Sequence, residues 1–294
     1  MKKLFLFLAM ASTTMFVSCG SDDSDSAPAA TAITLTSSAA TANVGQAVTL
    51  SVKNNLTPAV DVTSTSTFTV TPATGATITG ASFTATAPGA YKIVAKNGTL
   101  TSAEVTVTVS VPVNTVSVNG ASGVADKSML YYLGSTETGS NVFVANPYSQ
   151  VGEGEGATYP NDVYVYFTST QEAGSTSITL PALGNYAFGL VSANNVTFDA
   201  NVIFNSQEVL ATEITTDASM NLTRFTVSEA EESYAFTYAI KLANNSYAYG
   251  SYDGAFVFSN ESGRAARSSE LQVVKVTPAE LQANLNAVIA KNKK

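Results

Sequence analysis

Histidine and tryptophan are absent from the 294 residues, and cysteine occurs once. Without histidine, no Ser-His-Asp triad, Cys-His dyad or His-ligated zinc can be assembled. A single cysteine excludes an internal disulfide and any multi-cysteine metal site. Charge is scarce as well, at 12% Asp, Glu, Lys and Arg, and the formal net charge is −8. That balance lacks the basic footprint that nucleic acid requires. What remains is foldable: 45% of residues are hydrophobic, and the 19 Gly and 9 Pro show no collagen periodicity. The length predicts one to three domains at ~100–200 residues each.

The first residues read as an export signal. Lys2 and Lys3 precede an apolar run over residues 4–11. That run is too short for a stable transmembrane helix, which needs ~20 apolar residues. Nothing later in the chain reads as a span. Phe16-Val17-Ser18-Cys19 resembles a bacterial lipobox, with Phe16 and Val17 where Leu and a smaller residue are usual. The resemblance implies that residues 1–18 are removed and that Cys19 is lipidated and becomes the mature N-terminus. Losing Lys2 and Lys3 moves the formal charge from −8 to −10. A lone cysteine in an exported chain otherwise means a reactive thiol or an intermolecular bridge. One acyl chain anchors only marginally, at ~0.8 kcal/mol per buried CH₂, whereas the several chains implied here attach the protein to the membrane permanently.

Gly20-Ser21-Asp22-Asp23-Ser24-Asp25-Ser26 follows. It is similar to the acidic tract of Bacteroidota surface lipoproteins, which implies that Asp22, Asp23 and Asp25 direct display on the outer leaflet. A solvated linker over residues 19–30 is the plainer reading, and both readings hold together. Asp25-Ser26-Ala27 resembles the O-glycan acceptor of these bacteria, marking Ser26.

Two compositions then succeed one another. Residues 31–108 carry 20 Thr and one Tyr, Tyr91, whereas the other twelve Tyr and nine of the 14 Phe lie beyond residue 130. Pro112 interrupts a strand-like run between them, so the domains are read as 31–111 and 114–294. In the first, Val48, Leu50 and Val52 share a face opposite Thr49, Ser51 and Lys53, and Val105, Val107 and Val109 alternate with Thr106 and Thr108. Such period-2 runs, broken by turns such as Asn97-Gly98, indicate an antiparallel sandwich. Residues 44–50 and Ala87-Pro88-Gly89-Ala90-Tyr91 resemble bacterial Ig-like domains, especially group 2. Tyr91 is expected in the core or as a corner tyrosine.

The second region also reads as strands, at 115–118, 129–133, 141–145, 162–169, 175–180, 186–191, 196–204, 221–227, 234–242, 246–252, 255–258 and 271–276. Residues 247–256 read as a hairpin turning at Asp253-Gly254. The fold class is therefore all-β: an Ig-like sandwich, then a larger sandwich or barrel-like domain with a C-terminal helix over 278–291. Thr277-Pro278-Ala279-Glu280 supplies that helix with a capping box and a proline start. Leu281, Leu285, Val288 and Ile289 make one apolar stripe, expected to pack on the second domain.

Residues 128–223 hold nine acids and no Lys or Arg. Within them, Glu153, Glu155, Asn161 and Asp162 offer oxygens for calcium, against the reading of a solvated acidic loop. Paired carboxylates can serve glycoside hydrolysis at ~5–10 Å separation, but nothing in the sequence selects a pair. Tyr131-Tyr132, Tyr164-Tyr166 and Tyr247-Tyr249-Tyr252 are either a contact face for glycans or proteins, or core. Taken with the composition, the lipobox and acidic-tract resemblances imply a non-catalytic, outer-membrane surface lipoprotein without metal or cofactor. In that reading an Ig-like stalk presents a β-rich adhesion or ligand-binding domain. A glycan-binding accessory of nutrient uptake is the alternative, which the plan shared with starch-utilisation lipoproteins implies. A carboxylate-based hydrolase is the third.

Overall fold

The computed structural model describes residues 28–188, 195–196, 201–210, 217–228, 230–262 and 273–291. Strand dominates throughout. The first nine strands are β1 (Ile33–Ser37), β2 (Thr41–Asn43), β3 (Val48–Asn54), β4 (Thr67–Thr71), β5 (Ala76–Thr79), β6 (Ser82–Ala85), β7 (Gly89–Asn97), β8 (Leu100–Thr101) and β9 (Val105–Ser110). They form two sheets, ordered β1-β3-β6-β5 and β2-β9-β7-β4, with β8 added beside β7. Alternation decides which side is buried. Val48, Leu50 and Val52 of β3 meet Tyr91, Ile93 and Ala95 of β7 and Val107 and Val109 of β9 in one apolar cluster. Their threonine neighbours face out, as period 2 requires. The chain reverses after Asn97, where Gly98 takes φ 58° and Asn97 pairs with Leu100.

The remaining strands are β10 (Thr115–Val118), β11 (Ala121–Val124), β12 (Lys127–Ser135), β13 (Ser140–Tyr148), β14 (Asp162–Val163), β15 (Val165–Thr170), β16 (Gly184–Phe188), β17 (Asn195–Val196), β18 (Asn201–Phe204), β19 (Gln207–Leu210), β20 (Ala218–Val227), β21 (Glu232–Lys241), β22 (Tyr247–Ala255) and β23 (Val257–Asn260). All fourteen belong to one sheet. One arm runs β11-β10-β22-β21-β20-β16. Through β17 it passes to the other arm, β15-β13, to which β12 and β23 add. Side chains of both arms share a single core, from Val116 through Tyr131, Phe167 and Tyr234 to Val288, so the sheet curls around its own interior. Strands β12, β13 and β15 are buried on both faces, which the residues there, rich in Tyr, Phe and Val, can sustain.

The helix α1 (Pro278–Lys291) closes the core. Thr277 donates its N–H to Glu280 Oε2 at 2.7 Å, and Thr277 Oγ1 accepts the Glu280 N–H at 3.3 Å, the reciprocal pairing of a capping box. The Thr277 N–H, with the Thr277 hydroxyl donating to the same Oε2 at 2.8 Å, holds the Glu280 carboxyl below its ordinary value. Leu285 and Val288 enter the core, and Asn284 donates to the Leu133 carbonyl of β12 at 2.9 Å. Among the described residues no helix is long and apolar enough to cross a membrane.

Several expected elements differ. Residues 247–256 are not a hairpin: β22 continues through Asp253 and Gly254, which pair with Ala235 and Tyr234 of β21. The reversal comes earlier, at the turn closed by Leu242 and Ser246, where Asn245 takes φ 62°. Residues 175–180 form no strand. Side chains claim their carbonyls instead: Ser169 and Asn141 donate to Thr179, and Gln171 donates to Ser177. The strand expected over 162–169 breaks at Tyr164 into β14 and β15. Of 271–276, the described part contributes a bridge from Lys275 to Ser135 and a backbone hydrogen bond from Val273 N–H to the Thr176 carbonyl.

Candidate functional site

Period-2 alternation divides the tyrosines of β22 between two faces. Tyr252 turns inward and bonds the Ala255 carbonyl. Tyr247 and Tyr249 turn outward with their rings stacked, centroids 5.7 Å apart. Tyr131, Tyr132, Tyr164 and Tyr166 are also interior, so Tyr247 and Tyr249 alone of the tyrosines weighed as a contact face reach the surface. Tyr247 donates its hydroxyl to Asp217. That hydrogen bond, then burial and the Asp217 charge, pushes the Tyr247 phenol up to about 12. Burial raises the half-buried Tyr249 phenol, helped by Tyr91 and Asp217.

Beside Tyr249 lies a cleft of about 510 Å³ between the two units. Its floor is the outward face of β16, β20, β21 and β22. There Asn185, Asn221 and Thr237 stand in one cross-strand row, and Ala187, Ser219, Ala239 and Tyr249 in the next. Its opposite wall is Pro88 and residues 109–111 of the first unit. No charged side chain lines it among the described residues.

Two similar turns flank this cleft. Tyr91 Oη donates to the Ala87 carbonyl at 2.9 Å, and Tyr186 Oη donates to the Ala182 carbonyl at 2.6 Å. Each hydroxyl thus ties its strand back to a residue four positions upstream, the geometry of a tyrosine corner. Burial pushes the Tyr186 phenol up to about 12 and raises Tyr91 too. Sequence reasoning missed the second corner. Its signal was present: Ala87-Pro88-Gly89-Ala90-Tyr91 and Ala182-Leu183-Gly184-Asn185-Tyr186 share Ala-x-Gly-x-Tyr.

A backbone contact holds the walls in relation. The turn after β2 puts Gly45 at φ 76°, and the β10–β11 hairpin puts Asn119 and Gly120 at φ 51° and 82°. A Cβ on Gly45 would fall 1.9 Å from the Gly120 carbonyl oxygen. Only glycine permits that approach.

The acidic stretch does not converge. Glu153 and Glu155 are exposed on a short turn, whereas Asp162 is buried and accepts hydrogen bonds from Asn146 Nδ2 at 2.6 Å and Tyr164 Oη at 3.0 Å. Asn161 bonds the Val124 carbonyl and the Asn205 N–H, so its amide is also engaged. Among the described residues no group of three or more Cys, Asp or Glu is placed to hold a metal ion. Cys19, Asp22, Asp23, Asp25 and Ser26 lie outside the described residues. No family model matches the chain, and no curated protein matches it.

Proposed function

We propose that this chain is a non-catalytic surface lipoprotein of the outer membrane, anchored through Cys19, whose Ig-like stalk presents a β-rich ligand-binding unit. The observation that carries the binding role is the cleft between the units, with half-buried Tyr249 at its edge and an uncharged polar floor. Concave sites with an aromatic surface and a few placed polar groups are where ligands dock. A hydrolase built on two carboxylates finds neither in that lining. The Tyr91 corner supports the Ig-like reading of the first unit. Anchorage and display rest on the lipobox resemblance at Phe16-Val17-Ser18-Cys19 and on Asp22, Asp23 and Asp25.

Metabolic labelling with a fatty acid tests the anchor. Wild type incorporates label and stays with membranes, and Cys19→Ala incorporates none and becomes soluble in the periplasm. Continued labelling of the variant overturns the attachment site. In the same cells, protease added outside digests wild type but spares the variant with Asp22, Asp23 and Asp25 changed to Ala. Equal digestion reduces the tract to a spacer.

A further inference from the structure

The cleft floor is rigid sheet carrying short, uncharged side chains that are all unengaged. Asn185, Ser219, Asn221 and Thr237 are exposed on three adjacent strands. Among the described residues none of the four side chains has a hydrogen-bond partner. Sheet geometry fixes their spacing at ~4.8 Å across strands and ~6.8 Å along them, so they form a preset grid of amides and hydroxyls. Between them Ala187 and Ala239 keep the floor low. At the end of the row stands half-buried Tyr249, which lines the cleft and stacks against Tyr247. Pro88, Val109 and Val111 supply an apolar wall opposite.

This lining selects by charge and shape. A phosphate, carboxylate or ammonium ligand would shed its water and find no counter-charge, at a cost that hydrogen bonds alone do not recover. A peptide anchored by large apolar side chains could pack on Pro88, Val109 and Val111 but would leave the amides and hydroxyls of the floor unpaired. A ring with C–H groups on its faces and hydroxyls around its rim matches both parts of the lining: its C–H face covers the tyrosine, and its hydroxyls meet the grid. We infer that the cleft binds a neutral oligosaccharide, held on Tyr249 and hydrogen-bonded by Asn185, Ser219, Asn221 and Thr237. The inference rests on the ligand-binding reading above and specifies its ligand class. Because grid and ring sit on strands, little ordering accompanies binding.

The full-length chain in detergent micelles is applied to an array of neutral glucans, mannans, xylans and galactans, and retained sugars are titrated calorimetrically. At least one is retained, and its Kd changes by less than about twofold between low and high salt, since no ion pair is screened. Tyr249→Ala and Asn221→Ala each weaken binding about tenfold or more, a factor equal to ~1.4 kcal/mol. Asn221 is exposed, so its variant keeps the wild-type melting temperature, and Tyr249→Phe keeps the ring and binds close to wild type. Retention of no neutral sugar overturns the inference, as does binding indifferent to both variants. A parallel peptide array captured through Tyr249 would keep the cleft but overturn the sugar. Fatty-acid labelling of Cys19 is scored separately, so failure here is distinguishable from failure of the anchored reading.

Discussion

In the Thr-rich unit one aromatic pair, Phe83 and Tyr91 at 5.5 Å, sits among Val, Leu, Ile and Ala. In the Tyr-rich unit Tyr234 alone contacts four rings, Phe225, Phe236, Tyr252 and Phe256, at 4.8–6.5 Å. The difference follows from shape. Two short facing sheets leave a thin interior that branched aliphatics fill, whereas one sheet curled on itself encloses a wider space and needs longer side chains. Long phenols bring hydroxyls inside, and each buried hydroxyl needs a partner. Tyr132 is matched by Ser135, Tyr164 by Asp162, Tyr186 by the Ala182 carbonyl and Tyr234 by Ser128. The aromatic core is thus also a polar network, and the aliphatic core is not.

Alkaline titration breaks the two apart most strongly. Burial raises Tyr186 and Tyr252 to about 12, lifts Tyr131, Tyr164 and Tyr238 higher still and raises Tyr234 well above its ordinary value, against Tyr91 alone in the first unit. Unfolded tyrosine ionises near ~10, so above that pH the native Tyr-rich unit holds more protons than its unfolded chain. Stability therefore is complete below ~10 and falls as pH rises through the native values. Circular dichroism with tyrosinate absorbance should show the Tyr-rich unit melting first while the Thr-rich unit persists. Simultaneous melting would mean that phenol burial does not set the difference.

Tyr234→Ala comes next, since deleting a buried aromatic costs ~3–5 kcal/mol. In urea, only the transition of the Tyr-rich unit should move; a matching shift of the first transition would show the two units to be one cooperative block. A set of Tyr→Phe changes sharpens the comparison at the smallest scale. Tyr91→Phe and Tyr186→Phe each remove one hydrogen bond and should cost ~0.5–1.5 kcal/mol, one in each unit. Tyr238→Phe should be neutral or slightly stabilising, because that buried hydroxyl has no partner among the described residues. Loss of stability there would point to a contact its hydroxyl makes through solvent.

Where one face is wet, the sequence was readable. Val48, Leu50 and Val52 alternate with polar residues, and the alternation locates strand, face and core at once. The capping box at Thr277 and Glu280 placed the helix for a similar reason, since it is a local code. The Tyr-rich sheet gave less. Both faces of β12, β13 and β15 are covered, so their apolar runs announce strands but not partners. Asp253-Gly254 misled because the pair reads as a turn locally, while pairing on β21 and the Arg224–Asp253 contact at 2.6 Å hold it extended. Of the cleft, period 2 put Tyr247 and Tyr249 on one face but left open whether that face was surface or core. Its floor did not: Asn185, Asn221 and Thr237 become neighbours only through sheet register, and Pro88 arrives from another unit.

The pairing of the second sheet also fixes the order in which the chain can assemble. Thr115 lies opposite Ser251, Met129 opposite Val257, and Asn284 reaches back 151 positions to Leu133. Each contact closes a long loop, and such loops slow folding. With the chain threaded N-terminus first, all strands of the first unit are available once Ser110 is free. β10 and β12 must then wait, apolar and without β22 and β23, until nearly the whole chain has been made. For that interval the nascent protein is a finished sandwich trailing a sticky, half-paired sheet. Exposed apolar strands of that kind are prone to pair with other chains before their own partners arrive.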